Sequence, residues 1–343
     1  MKKEFIPQIQ EKFINELIKR TNSKKKLAEL LVTELNICKS ASYNRINNKK
    51  PLTLNEVEKL AKLCGISIDQ FFLPDYSRIT FVSDAMRRLP RSYDQYLTNV
   101  VNVLLQLKRL EGLTATTIGT EIPLFHYASF PNLYHFKLFY WKQTFWEFGN
   151  DNELFSLHSQ EIDDVIKDKT KIIGRKYNSI NSTEIWTTDL FTPILKQIIY
   201  FLELGCFDDD NEAMTLINDV KKLSARLKEF CSNGHKSYID SESSIEVYYN
   251  ELHDGTDALL FNSDFQTLSF IKYDGPNFIK TNQNEFGVYS NKWISNIISK
   301  STSISANNQR QRRIFFNHVN AKIEAAEERV MQLIGSKGVR LVV

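Results

Sequence analysis

Apolar residues recur at helical spacing from near the first residue of the chain. In IPQIQEKFINELIKR, residues Ile6, Ile9, Phe13, Ile14, Leu17 and Ile18 fall on one stripe, which predicts a helix. Ser23 stands where a cap would open the next helix, KKKLAELLVTEL, with Leu27, Leu30, Leu31 and Leu35 turned inward. A short helix carrying Tyr43 and Ile46 follows. Thr53 and Glu56 have capping-box spacing ahead of LNEVEKLAKLC, where Val57, Leu60, Ala61 and Cys64 share a face and Gly65 supplies a stop. A second box, Ser67 to Gln70, opens IDQFF, and Pro74 closes this first module.

The pattern then broadens. RSYDQYLTNVVNVLLQLKRLEG predicts one helix over 92–112 with a wide apolar stripe; core packing is the first reading and a dimer seam the second. Residues 116–150 hold the densest aromatic run, from Phe125 to Trp146, with Pro131 at a helix start. It reads first as hydrophobic core and second as the wall of an apolar ligand pocket. Three further helices are expected between 151 and 235. The polar segment SNGHKSYIDSESS (232–244) is a candidate boundary. Beyond it SIEVYYNEL, DALLFNS, TLSFIKY and NFIKT read as antiparallel strands. A long helix begins near Ser305, and SKGVRLVV ends the chain as an edge strand or tail.

Charge divides the chain in a way the sum conceals. The net charge is +3, but residues 1–74 carry 14 Lys and Arg against 8 Asp and Glu. A basic head on a slightly acidic body fits a nucleic-acid-binding module joined to another function. The basic residues concentrate in KSASYNRINNKKPLTLNE (39–56), which has no acid before Glu56. A DNA-reading helix must be short and amphipathic, with small polar side chains outward and basic residues beside it for phosphates. Ser40, Asn44 and Asn47 are spaced for one outward stripe, with Ser42 on the same helix, and Asn suits a bidentate pair with adenine. Lys24, Lys39, Arg45, Lys49 and Lys50 suit phosphates, with guanine a second possibility for Arg45. Tyr43 and Ile46 turn inward.

With these residues in view, the stretch LAELLVTELNICKSASYNRINNKKPLTLNEVEKLAKLCGISIDQFF resembles the lambda-repressor/Cro-like helix-turn-helix (XRE-type) family over roughly 5–74. That family usually has Gly after the recognition helix; Asn47–Asn48 stands here, and Asn tolerates the left-handed conformation. The resemblance implies a bacterial transcription regulator that binds double-stranded DNA. The fold class expected is multidomain. An all-α helix-turn-helix domain spans 1–75, a connector helix 76–115, a helical aromatic-rich body 116–235, and an α+β sensing or dimerisation domain 240–343.

Elsewhere chemistry is sparse. The sequence contains no phosphate loop, dinucleotide fingerprint, zinc-protease helix or nucleophile elbow, so no cofactor, metal or enzymatic activity is expected. The pair His253–Asp254 reads as surface loop. Ser301, Ser303 and Ser305 precede a helix start, with Arg310 and Arg313 in its first turns; the pattern reads first as a capped helix with a solvated basic face and second as a site for an anionic effector. Cys38, Cys64, Cys206 and Cys231 form no C-x-x-C pair and read as buried free thiols of a reducing compartment. The start is broken by charges, and no stretch approaches the roughly 20 apolar residues of a membrane span. The expectation is a cytoplasmic homodimeric transcription regulator without a membrane partner. The alternatives are a component of a toxin–antitoxin or defence locus, or an enzyme whose head only autoregulates.

Overall fold

The computed structural model describes residues 5–68, 71, 79–83, 89–150, 152–160, 162–251, 255 and 257–340. The Ser67–Gln70 box and the His253–Asp254 pair therefore lie outside the described residues, the box in part and the pair wholly. The chain forms two compact units, Met1–Thr80 and Phe81–Val343.

The first unit is helical: α1 (Phe5–Thr21), α2 (Lys24–Leu35), α3 (Lys39–Ile46) and α4 (Leu54–Cys64). Its ends are set by side chains. Ser23 accepts from the Lys26 amide at 3.1 Å to start α2, and Thr53 and Glu56 complete a reciprocal capping box on α4. Asn22, Asn36 and Asn48 each take positive φ, and Gly65 does the same at the end of α4. Phe13, Leu17, Leu27, Leu31, Ile46 and Leu60 close a core of their own.

The second unit is built on a mixed sheet of order β1-β8-β7-β6-β2-β3-β5-β4, with β9 beside β5. Its strands are β1 (Val82–Ser83), β2 (Thr114–Gly119), β3 (Asn181–Trp186), β4 (His235–Tyr238), β5 (Ser241–Tyr249), β6 (Ala258–Asn262), β7 (Thr267–Asp274), β8 (Asn277–Thr281) and β9 (Thr302–Ser303). β2, β3 and β5 run parallel, while β6, β7, β8 and β1 continue as an antiparallel meander. The helices are α5 (Tyr93–Leu107), α6 (Pro131–Phe145), α7 (Asp164–Tyr177), α8 (Thr192–Glu203), α9 (Asn211–Asn233), α10 (Asn284–Ile298) and α11 (Gln309–Arg340). A 3-10 helix spans Leu124–Ser129. Alternation along the strands assigns the two faces. Ile118, Ile185, Ala258 and Leu260 pack against Ile294 of α10. Ala115, Trp186, Ile245, Val247 and Phe261 join the larger core with the remaining helices.

This arrangement corrects the expected layout of the body. Residues 114–119 and 181–186, in or beside the region read as helical, are central strands. The polar loop at 232–244 contains β4 and the start of β5, so 235–240 does not divide the unit. Parallel strands buried on both faces lose the alternation that marks a strand in sequence. The helix expected over 92–112 ends at Leu107, and its buried positions Tyr93, Leu97, Leu104 and Leu107 pack within the unit's own core. The terminal segment is helix through Arg340. Among the cysteines Cys231 is buried, whereas Cys38 is exposed at the start of α3.

Glu184, on β3, is fully buried and receives donors from several directions. His126 Nε2 lies 3.0 Å from Oε2, Tyr177 donates to Oε1 at 2.9 Å, and the Trp186 indole donates to Oε2 at 3.0 Å. Burial alone would raise its pKa; the His126 charge and these bonds prevail and hold it at about 2. Lys236 of β4 is also fully buried, its ammonium 3.8 Å from the centre of the Tyr177 ring. Burial lowers its pKa to about 7 against the opposing pull of Glu184. A lysine depressed in the fold binds fewer protons than in the unfolded chain between that value and its ordinary one, so stability rises with pH across this window. We predict a stability gain on the order of 3 kcal/mol between pH 7 and pH 10 that Lys236→Met loses. Denaturation of both proteins followed by tryptophan fluorescence across this range checks it; parallel pH profiles would refute it.

Candidate nucleic-acid interface

The candidate surface is built on α3. Asn36 at positive φ ends α2, and Ile37 and Cys38 lead into α3, so the two helices are joined by a short turn. Lys39, Ser40, Asn44 and Asn47 are exposed along or beside α3, and Lys49 and Lys50 are exposed just after it. Lys24 is exposed at the start of α2.

Two expected contacts do not belong to it. Arg45 is buried and turned away. Its Nη2 lies 2.7 Å from Glu56 Oε1, its Nε 3.1 Å from the same oxygen, and its Nη1 donates to the Ala41 carbonyl at 3.3 Å. Burial works against the Glu56 charge, but Arg45 and the Thr53 amide hold its carboxyl below the usual carboxylate range. The same Glu56 thus closes the capping box of α4 and clamps α3. Ser42 is fully buried, and its hydroxyl donates to the Lys39 carbonyl at 2.8 Å. Helical rotation explains both: Ser42, Arg45 and Ile46 share the inward face, three or four residues apart.

A residue missed in the sequence fixes the segment after α3. Gln10 of α1 donates to the carbonyls of Arg45 at 3.2 Å and Lys50 at 3.0 Å and accepts from the Leu52 amide at 2.7 Å. It holds the turn that carries Asn47, Asn48, Lys49 and Lys50, with Asn48 at φ 54° where the resembled family has glycine. No local pattern marks such a glutamine; only the fold brings positions forty residues apart together.

Near the C-terminus the anion site, the second of the two readings, is not assembled. Ser301 donates to the Ile297 carbonyl at 2.7 Å. Ser303 accepts weakly from the Ser305 amide at 3.4 Å. Ser305 accepts from the Val247 amide at 2.6 Å and so ties the segment to β5. These hydroxyls serve the backbone, and Arg310 and Arg313 are exposed on α11. Arg312 is buried, donating to the carbonyls of Ser305 at 2.9 Å and Ile304 at 3.2 Å. Among the described residues no cluster of His, Cys, Asp or Glu could hold a metal ion, and no helix is long and apolar enough to cross a membrane.

Comparison with protein-family models, curated proteins and solved structures finds no match to this chain.

Arg45 is buried and Glu56 half-buried, and removing Arg45 leaves the carboxylate with the Thr53 amide but without its charged partner, at a cost of about 2 to 3 kcal/mol. Arg45→Ala is therefore expected to accelerate amide exchange in α3 and α4 by about a hundredfold, while Asn44→Ala leaves it unchanged. Hydrogen exchange of the full chain checks this. Equal protection in the two variants would mean that Arg45 is not a clamp.

Proposed function

We propose that this chain is a sequence-specific DNA-binding transcription regulator. Its first unit reads duplex DNA with α3, and its second unit serves dimerisation and ligand sensing. The observation that carries the reading is the division of α3 into two faces. Ile46, Ser42 and the clamped Arg45 lie inward, while Ser40, Asn44 and Asn47 lie outward between Lys39 and the pair Lys49–Lys50. Asparagine side chains at the exposed face can pair with adenine N6 and N7, and the lysines supply phosphate contacts. With Arg45 engaged by Glu56, base reading falls to the two asparagines and Ser40. One head of this size makes few base contacts, so two heads on a near-palindrome are required for useful affinity. The physical layout agrees with the XRE-type resemblance on its own terms: helix, short turn, helix, and a capped helix that holds the second in place.

Selection from a random duplex library should enrich a two-fold-symmetric motif with the wild type, and Asn44→Ala/Asn47→Ala should lose it. Lys49→Ala/Lys50→Ala should instead weaken binding to all sequences alike and lower the slope of log affinity against log salt by about 2 for each bound head, about 4 for the dimer. Absence of any enriched motif with the wild type would overturn the reading.

A further inference from the structure

A cavity of about 250 Å³ lies in the second unit beside the carboxyl end of β2. Tyr96, Val100 and Val103 of α5, Phe125 of the 3-10 helix, Trp141 of α6 and Phe270 of β7 give it apolar walls. Most of these side chains are aromatic, and Tyr96 meets Trp141 edge to face at 5.6 Å. An apolar cavity of about 150 Å³ holds benzene, so this one has room for a molecule of about ten heavy atoms.

The charged groups that line the cavity are matched to one another. Lys137 bonds Glu121 and donates to Gln197 at 3.0 Å. Lys272 donates to the other oxygen of Glu121 at 2.6 Å and to Asp257 at 3.2 Å. Asp257 also accepts from the Thr120 amide at 2.8 Å and hydroxyl at 3.2 Å. These ammoniums and carboxylates close one chain of bonds in which positive and negative charge balance. Burial would raise the pKa of Glu121, but the two lysines prevail and hold its carboxyl at about 2, so it stays ionised and paired. Lys280, which also lines the cavity, has a partner of its own. The uncharged polar residues add little. The Thr117 and Tyr127 hydroxyls have no accessible surface, so these residues offer the cavity carbon rather than oxygen. Asn277 donates its side-chain amide to Asp274 at 2.6 Å, and Asn99 is exposed on α5.

An ion entering this space would shed its water and find each opposite charge already engaged. Taking a charge out of water without a new partner is costly, whereas an apolar molecule gains by leaving water. The wall therefore selects against ions of either sign. Its rings suit an aromatic ligand, which can meet them in edge-to-face or offset contacts.

We propose that this cavity binds an uncharged aromatic molecule of about ten heavy atoms, held by apolar contact with Val100, Val103, Phe125 and Phe270. That such a molecule acts as an effector rests on the DNA-binding reading above; the binding itself does not, so calorimetry can succeed where DNA selection fails, and the reverse.

The test is isothermal titration of the full chain with indole and propylbenzene beside benzoate and benzylammonium, ions of similar size. At least one neutral compound is expected to bind one to one, with both ions at least about tenfold weaker. Val100→Phe and Val103→Phe, made separately, add a ring at the cavity wall and should each weaken the neutral compound about tenfold or more. Their thermal transitions should be unchanged or raised, because they fill space rather than create it. Where neither variant folds, the order of affinities in the wild type decides. The proposal fails if neither neutral compound binds, if either ion binds within about tenfold of the better neutral compound, or if the folded variants keep wild-type affinity.

Discussion

The buried carboxylate of Glu184 is the constraint around which the second unit is arranged. An ionised carboxylate with no exposure requires donors on nearly every side, and this one draws them from separate elements. His126 comes from the 3-10 helix, Tyr177 from the end of α7, and Trp186 from its own strand. Lys236 comes near from β4, above the Tyr177 ring. Each donor fixes the approach of the element that carries it, so the crossover between β2 and β3 has little freedom to slide. A leucine at 184 would pack a core of this kind, but it would leave His126, Tyr177 and the Trp186 indole without an acceptor. A slip of β3 against its neighbours would carry the Glu184 charge away from these donors, so the polar network adds to the register that the buried faces already specify.

The first unit applies the same device on a smaller scale. Glu56 is shared between the Thr53 amide and Arg45, so the start of α4 and the inner face of α3 are held by one carboxylate. Gln10 does the corresponding work for the segment after α3. The consequence for the proposed DNA surface is stiffness: the exposed asparagines ride on a helix anchored from below by a charge pair and beyond its end by a glutamine. Base reading by short side chains needs this, because they have little reach with which to compensate for a misplaced helix.

Periodicity made the helices of the first unit, strand β5 and the meander β6 to β8 legible, because each has one wetter face and one drier face. It failed for β2 and β3, TATTIG and NSTEIW, which are covered on both sides and short, and for β4 inside a polar segment. The outward residues of α3 could be read from spacing, but the orientation of Arg45 could not. An arginine in a basic run looks like a phosphate contact until Glu56, eleven residues away, is seen to face it. The serines before α11 left two readings open for the complementary reason. Hydroxyls near a helix start suggest an anion, yet β5 uses Ser305, and the last turn of α10 uses Ser301. In both cases the deciding partner is set by tertiary structure rather than by neighbouring sequence.

The place of the cavity follows from the sheet. β2 is where the sheet changes direction, parallel to β3 on one side and antiparallel to β6 on the other. Helical crossovers cover the parallel part, whereas the meander needs only tight turns, so the helix layer has a natural edge above this junction. Glu121 and Ile122 follow the carboxyl end of β2, where open sheets of this kind leave crevices. Gly275, at positive φ in the turn between β7 and β8, completes the wall; a Cβ there would run into the Phe145 ring, so only glycine lets the turn close against α6. Aromatic residues that the sequence left ambiguous divide accordingly: Phe136, Phe139 and Phe155 are core, while Phe125 and Trp141 turn one side to the cavity. Core and pocket wall are the two sides of one aromatic layer, and the sheet's change of direction decides where the layer opens.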